Sequence, residues 1–175
     1  WNNNETIYVG TGENNSSRSS YAGCGIYKSI DGGKTWQHKG LAESHHIGRI
    51  LISAKDPQTL FVAVLGHLYT PNKERGVYKS TDGGNTWKQV LMVDENTGAI
   101  DLQADSKNPD VLYASMWHRE RREWNLTESG STSGIYKSID YGNTWGLLTK
   151  KESGFHTVDG GGRIGLTGNK NNPEI

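Results

Sequence analysis

Gly76-Val77-Tyr78-Lys79-Ser80-Thr81-Asp82-Gly83-Gly84-Asn85-Thr86-Trp87 decides the fold, because the chain carries it in three copies. The others are Gly25-Ile26-Tyr27-Lys28-Ser29-Ile30-Asp31-Gly32-Gly33-Lys34-Thr35-Trp36 and Gly134-Ile135-Tyr136-Lys137-Ser138-Ile139-Asp140-Tyr141-Gly142-Asn143-Thr144-Trp145. Asp31 and Asp82 stand 51 residues apart, Asp82 and Asp140 stand 58 apart. Each copy reads as a β-hairpin. The alternating Ile/Val-Tyr-Lys stretch is one strand, and the Trp opens the next and is expected to be largely buried beside the turn. The Asp accepts backbone N–H groups across the turn, and Gly supplies the positive φ. A catalytic carboxylate is needed once or twice, whereas a turn that builds the fold is needed in every unit. Ser29, Asp31, Gly33, Thr35 and Trp36 are therefore structural, as are Ser80, Asp82, Gly84, Thr86 and Trp87, and Ser138, Asp140, Gly142, Thr144 and Trp145.

Working outward, an apolar strand precedes each hairpin, at Thr6 to Thr11, Thr59 to Leu65 and Val111 to Met116. A polar turn precedes that strand, as in Asp56-Pro57-Gln58 and Asn108-Pro109-Asp110. A further strand comes before the turn, at Gly48 to Ser53 and Ala99 to Ala104. Four antiparallel strands per unit, A to D, make a β-propeller blade. The reading is all-β: a propeller fragment of about three four-stranded antiparallel blades. Residues 1–38 supply strands B to D of a partial blade, 48–90 and 99–148 are full blades, and 163–175 start the next, with strand A at 163–167. Three blades are too few to close a ring, so the chain is expected to be an open arc of a longer protein, completed by the remaining blades of the same chain.

Composition agrees. Glycine makes up 23 of 175 residues, about 13% against an average near 7%. Nineteen basic residues balance nineteen acidic ones, so no general field draws in a polyanion, and nucleic acid is excluded as an expected partner. The longest apolar runs are strand-length, which excludes a helical membrane span. One cysteine, Cys24, excludes an internal disulfide; it reads as a small buried residue. No charged-then-apolar leader opens the chain, so any export signal is expected to have been removed or never present.

Ser-x-Asp-x-Gly-x-Thr-Trp is the Asp-box, or BNR repeat, found in sialidases, sortilin-type receptors and xyloglucan-active glycoside hydrolases. Tyr8-Val9-Gly10-Thr11-Gly12-Glu13, His45-His46-Ile47-Gly48-Arg49-Ile50 and Val93-Asp94-Glu95-Asn96-Thr97-Gly98-Ala99 resemble a bacterial family of large exported propeller proteins, sortilin-like or labelled glycosyl hydrolases. The resemblance implies an exported protein, at the periplasm, cell surface or exterior. It carries no reaction: Arg49-Ile50-Leu51 and Arg163-Ile164-Gly165 lack the Pro of the sialidase arginine motif, and a repeated strand-start arginine is the simpler account. No segment matches the xyloglucanase catalytic neighbourhood.

Consecutive strands alternate direction, so B–C and D–A loops emerge on one face and the Asp-box turns on the other. Ligand-binding residues are therefore sought in the variable loops: Glu13, His45, His46, His67, Asp94, Glu95, Trp117, Arg119, Arg121 and Trp124. Tryptophans beside arginines suit a sugar or peptide carrying a carboxylate; the alternative is a solvated loop anchored by one Trp. His45, His46 and His67 with Glu13 or Asp94 could hold a metal, but loop hydrogen bonding is the simpler account, and no metal or cofactor is expected. No catalytic residue is assigned. Two functions stand: a non-catalytic exported binding or scaffold propeller for a carbohydrate or protein ligand, or a polysaccharide-active glycoside hydrolase, xyloglucanase-like or sialidase-like, whose site lies partly on further blades.

Overall fold

In the computed structural model, which describes residues 4–155 and 160–168, each repeat is a hairpin closed by its own side chains. Asp82 Oδ1 accepts the N–H groups of Asn85 and Thr86, both at 2.9 Å, and Oδ2 accepts the Thr86 hydroxyl at 2.6 Å. Ser80 Oγ donates to Asp82 Oδ1 at 2.8 Å and accepts the Gly84 N–H at 2.9 Å. Asp31 and Asp140 close their turns on the same Ser, Gly and Thr positions. These hydrogen bonds, the Thr hydroxyl first, hold all three carboxyls down at about 2. In the third copy Tyr141 takes the place of the first glycine and adopts its left-handed backbone, with φ 60° against 71° at Gly32 and 70° at Gly83.

Three antiparallel sheets follow in chain order. The first holds β1 (Ile7–Gly10), β2 (Ile26–Ser29) and β3 (Gln37–His38). The second holds β4 (Ile47–Ile52), β5 (Leu60–Val64), β6 (Gly76–Ser80) and β7 (Lys88–Leu91), side by side in that order. The third holds β8 (Thr97–Ala104) and β9 (Leu112–His118). A short ribbon, β10 (Glu120–Arg121) with β11 (Leu126–Thr127), then fills a loop before β12 (Gly134–Ser138) and β13 (Gly146–Leu147) complete the sheet. Helix among the described residues amounts to two three-residue 3-10 turns, Ala42–Ser44 and Lys151–Ser153. The fold is all-β, with four-stranded sheets arranged like propeller blades.

The core lies between the sheets. β5 is buried along its whole length, and its alternation serves two neighbours. Val62 and Val64 pack with Ile26 of the first sheet, while Phe61 and Ala63 pack with Leu102, Leu112, Ala114 and Met116 of the third. At the inner strands β4 and β8 run so close that a Cβ on Gly48 would stand 2.2 Å from the Ile100 carbonyl oxygen. Arg49 Nε donates to Asp101 Oδ1 at 2.8 Å across the same contact, which gives the strand-start arginine a structural partner.

Three expectations need correction. Residues 162–168 form no strand: Ser115 Oγ donates to the Ile164 carbonyl and the Leu166 N–H donates to Asp101 Oδ2, so third-sheet side chains take the backbone groups a pairing strand would use. The remainder of the expected next blade, residues 169–175, lies outside the described residues, as do 1–3. Cys24 is exposed, beside the Tyr27 hydroxyl, because its N–H is tied to Thr11 Oγ1 at the loop's end. The Asp-box tryptophans are not deeply buried. Trp87 and Trp145 are half-buried, and Trp36 is 43% exposed. Trp87 reaches back over the preceding sheet, its indole N–H donating to the Lys39 carbonyl at 2.6 Å; no earlier sheet stands before Trp36 among the described residues.

Candidate functional site

Each Asp-box turn bonds to the A–B turn of its own sheet, through Gly32 N–H to Glu5 O, Gly83 N–H to Gln58 O and Tyr141 N–H to Asp110 O. Those turns therefore share one face, and the long loops emerge on the other. There the three B–C loops, one from each sheet, meet. The Tyr69 hydroxyl donates to the Arg18 carbonyl at 2.9 Å, and Arg18 Nη2 donates to the Glu123 carbonyl at 3.1 Å. Between them lies a groove of about 510 Å³ lined by Arg18, Tyr69, Arg121, Arg122, Glu123 and Trp124. Trp124 is 83% exposed. Arg18, Arg121 and Arg122 line it with Glu123, and Glu120 Oε2 lies 3.4 Å from Arg122 Nη2, so the groove keeps an excess of positive charge and carries two aromatic platforms.

Trp117 and Arg119 do not reach that surface. Trp117 is buried with Leu65 and Ile100, its indole N–H donating to the Glu128 carbonyl at 2.7 Å. Arg119 and Arg75 are buried as well, and they bond carbonyls in place of carboxylates. Arg75 donates to the carbonyls of His67, Thr70, Asn96 and Arg119, and Arg119 donates to those of Gly66 and His67. Trp117 and Arg119, expected among the ligand-contacting residues, lie in the interior instead: β9 runs on through Trp117, and the apolar contact with Ile100 and Leu65 draws the indole inward. Burial pulls Arg75 down to about 10 and Arg119 to about 9, the latter helped by Arg75 itself. His46 is buried too, and burial followed by the Arg119 charge holds its imidazole down at about 4, so it is neutral.

The other loop residues separate. Glu13 is exposed and lends its backbone to His46. Asp94 ties its own loop, accepting the Asn96 N–H at 2.8 Å and bridging to Thr97. Glu95 is exposed, and its carbonyl accepts the Asn72 N–H. His45 and His67 do come together, with ring centroids 3.8 Å apart and planes 21° from parallel. Their acidic neighbour is Glu43, from the 3-10 turn before His45, whose Oε2 lies 3.9 Å from His45 Nε2 and 3.7 Å from His67 Nε2. Glu43, Arg18 and Tyr69 escape a reading of sequence. Their signal is only membership in the variable loops, and Glu43, in the loop that leads into the second sheet, meets His67 in a different loop of that sheet.

The profile described as "Sortilin, neurotensin receptor 3" matches residues 8–171. The chain belongs to the Sortilin-Vps10 family. Among curated proteins, this Sortilin-Vps10 chain is similar to vacuolar protein sorting/targeting protein 10 of Kluyveromyces lactis, at 26% identity over 158 residues. The match covers 87% of this chain and 9% of that protein, so the chain spans a small part of its relative's length. Among solved structures, an ancestral GH74 enzyme superposes with a TM-score of 0.55 at 20% identity, over 82% of this chain and 18% of that one. The GH74 xyloglucanase from Xanthomonas campestris gives 0.54 at 15% identity, over 86% and 22%. These likenesses establish the propeller fold of the Sortilin-Vps10 chain.

Proposed function

We propose that this chain is part of an exported, non-catalytic binding propeller that takes a carboxylate-bearing carbohydrate or protein ligand on its loop face. The observation that carries the reading is the groove where the three B–C loops meet: Tyr69 and Trp124 offer flat apolar surfaces, and Arg18, Arg121 and Arg122 offer planar donors that pair with carboxylates. Glycoside hydrolysis needs two carboxylates facing each other across the scissile bond, and the groove's lining has one, Glu123. The sorting and targeting named for the yeast relative supports a binding role. Export rests on the family resemblance of the loop and strand motifs.

The test is titration calorimetry of the full-length protein against neutral and acidic oligosaccharides and acidic peptides, with products followed by chromatography. Saturable binding of acidic ligands, weakened by Trp124→Ala and Arg122→Ala and without turnover, is expected. Cleavage of a polysaccharide would replace this reading with the hydrolase one.

A further inference from the structure

We infer that Glu43, His45 and His67 form a binding site for a zinc-class divalent cation, bridging the D–A loop that leads into the second sheet and that sheet's B–C loop. The three side chains each present a ligand atom within 4.8 Å of the others. The carboxylate oxygen of Glu43 stands 3.9 Å from His45 Nε2 and 3.7 Å from His67 Nε2. Donor atoms in a tetrahedral zinc shell lie roughly 3.3 Å apart, so each carboxylate–imidazole separation need contract by only about half an ångström, and the two stacked rings must splay for their in-plane lone pairs to converge on one ion. Glu43 is exposed, which leaves the remaining position open to water. None of the three lines the aromatic and arginine groove.

His67 is held as a ligand is held. Its N–H donates to Asn72 Oδ1 at 3.0 Å, and its carbonyl accepts from Arg75 Nη2 at 2.8 Å and Arg119 Nη2 at 3.2 Å. Its Nδ1 lies 3.0 Å from Thr70 Oγ1. In the tautomer that donates Nδ1–H to that hydroxyl, Nε2 keeps its lone pair. That nitrogen is buried, has no hydrogen-bond partner and faces Glu43. A buried acceptor without a partner is costly, and outer hydrogen bonds of this kind orient metal-ligating histidines. His45 adds a second sign. Its backbone sits at φ 51°, ψ −48°, an unfavourable region for a residue with a side chain, and its carbonyl is clamped by the Gly23 N–H at 2.6 Å. That strained backbone sets the His45 ring beside that of His67, from where rotation of the partly exposed His45 side chain brings its lone pair toward Glu43. Two imidazoles and one carboxylate match zinc and its neighbours, whereas calcium and magnesium take oxygen-rich shells.

The experiment is zinc titration by calorimetry on the full-length protein purified without a histidine tag, with cobalt(II) absorption as a spectroscopic report of coordination. Glu43→Gln and His67→Ala are each expected to bind one zinc fewer than the parent and to lose the corresponding cobalt bands. Thr70→Val should keep the stoichiometry and weaken affinity about 10- to 100-fold by freeing the His67 ring. His38→Asn, outside the cluster, should leave both unchanged. Because Glu43 is exposed, its variant is expected to fold, with circular dichroism as the check. Equal zinc stoichiometry in the parent and Glu43→Gln overturns the inference, as does a response to calcium or magnesium but not to zinc.

Discussion

At the scale of single residues, the Asp-box carboxylates give the chain an acid limb of stability. The folded Asp82 carboxyl titrates near 2 against an ordinary value of 3.8, held there first by the Thr86 hydroxyl. A depressed folded value means the contribution is complete above the ordinary value and disappears as pH falls through about 2. Melting temperature followed from pH 5 to pH 2 should therefore fall through that window. Asp82→Asn should melt lower at neutral pH and lose part of the slope. A parallel slope in the variant would place the acid sensitivity elsewhere. Tyr141 shows the opposite balance of local cost and tertiary gain. Its left-handed backbone costs roughly 1–2 kcal/mol, yet its ring meets Phe61 edge-on at 5.6 Å, receives Lys79 Nζ at 4.6 Å from its centroid, and its hydroxyl bonds Ser53 Oγ. Tyr141→Gly relieves the backbone and forfeits the packing. Removing a fully buried aromatic side chain costs roughly 3–5 kcal/mol; Tyr141 is half-buried but also loses its Ser53 bond and the Lys79 contact, so the net outcome expected in denaturant titration is a modest destabilisation, and a stabilised variant would contradict the packing account.

At the scale of elements, the sheets are tied by a device repeated with the sequence. The lysines of the first two Tyr-Lys-Ser strands reach the Asp-box turn of the next sheet. Lys28 Nζ donates to the Gly83 carbonyl at 3.4 Å, and Lys79 Nζ donates to the Tyr141 carbonyl at 2.7 Å. Each also lies over an aromatic ring, Tyr8 for Lys28 and Phe61 for Lys79. Lys79→Met keeps the stem and removes the donor, so a loss of roughly 1.5–3 kcal/mol in unfolding free energy is expected, the range for hydrogen bonds from charged groups. The close approach of β4 to β8 permits a second expectation. Gly48→Ala places a methyl group against the Ile100 backbone, and backbone cannot swing aside as a side-chain tip can. Overpacking of this kind costs roughly 1–3 kcal/mol, measurable as a lowered melting temperature.

At the scale of the whole molecule, loops from three sheets build one surface. Trp124 is nearly free of packing, so Trp124→Ala should change stability by less than about 0.5 kcal/mol. If it anchors a ligand, affinity should fall roughly tenfold or more. The arginine contribution is open to solvent, and raising salt from about 0.1 M to about 1 M shortens the screening length from roughly 10 Å to roughly 3 Å. Binding of an acidic ligand should weaken markedly over that range. Salt-independent binding would mean that the arginines do not carry it.

The sequence by itself determined the hairpins, the four-strand order of the second and third sheets and the face on which the loops emerge. These follow from local rules: an Asp-box closes on residues two to four positions away, and strand alternation sets direction along the chain. Tertiary structure decided which loop residues are available. Trp117, Arg119 and Trp124 look alike in sequence, but β9 draws the first two into the interior and the β10–β11 ribbon lifts Trp124 into solvent. Tertiary structure also chose Glu43, rather than Glu13 or Asp94, as the carboxylate beside His45 and His67. The physical reason is distance along the chain. Turn chemistry is fixed by neighbours a few residues apart, whereas burial and side-chain meetings such as His45 with His67 depend on how one sheet's loops settle against the next.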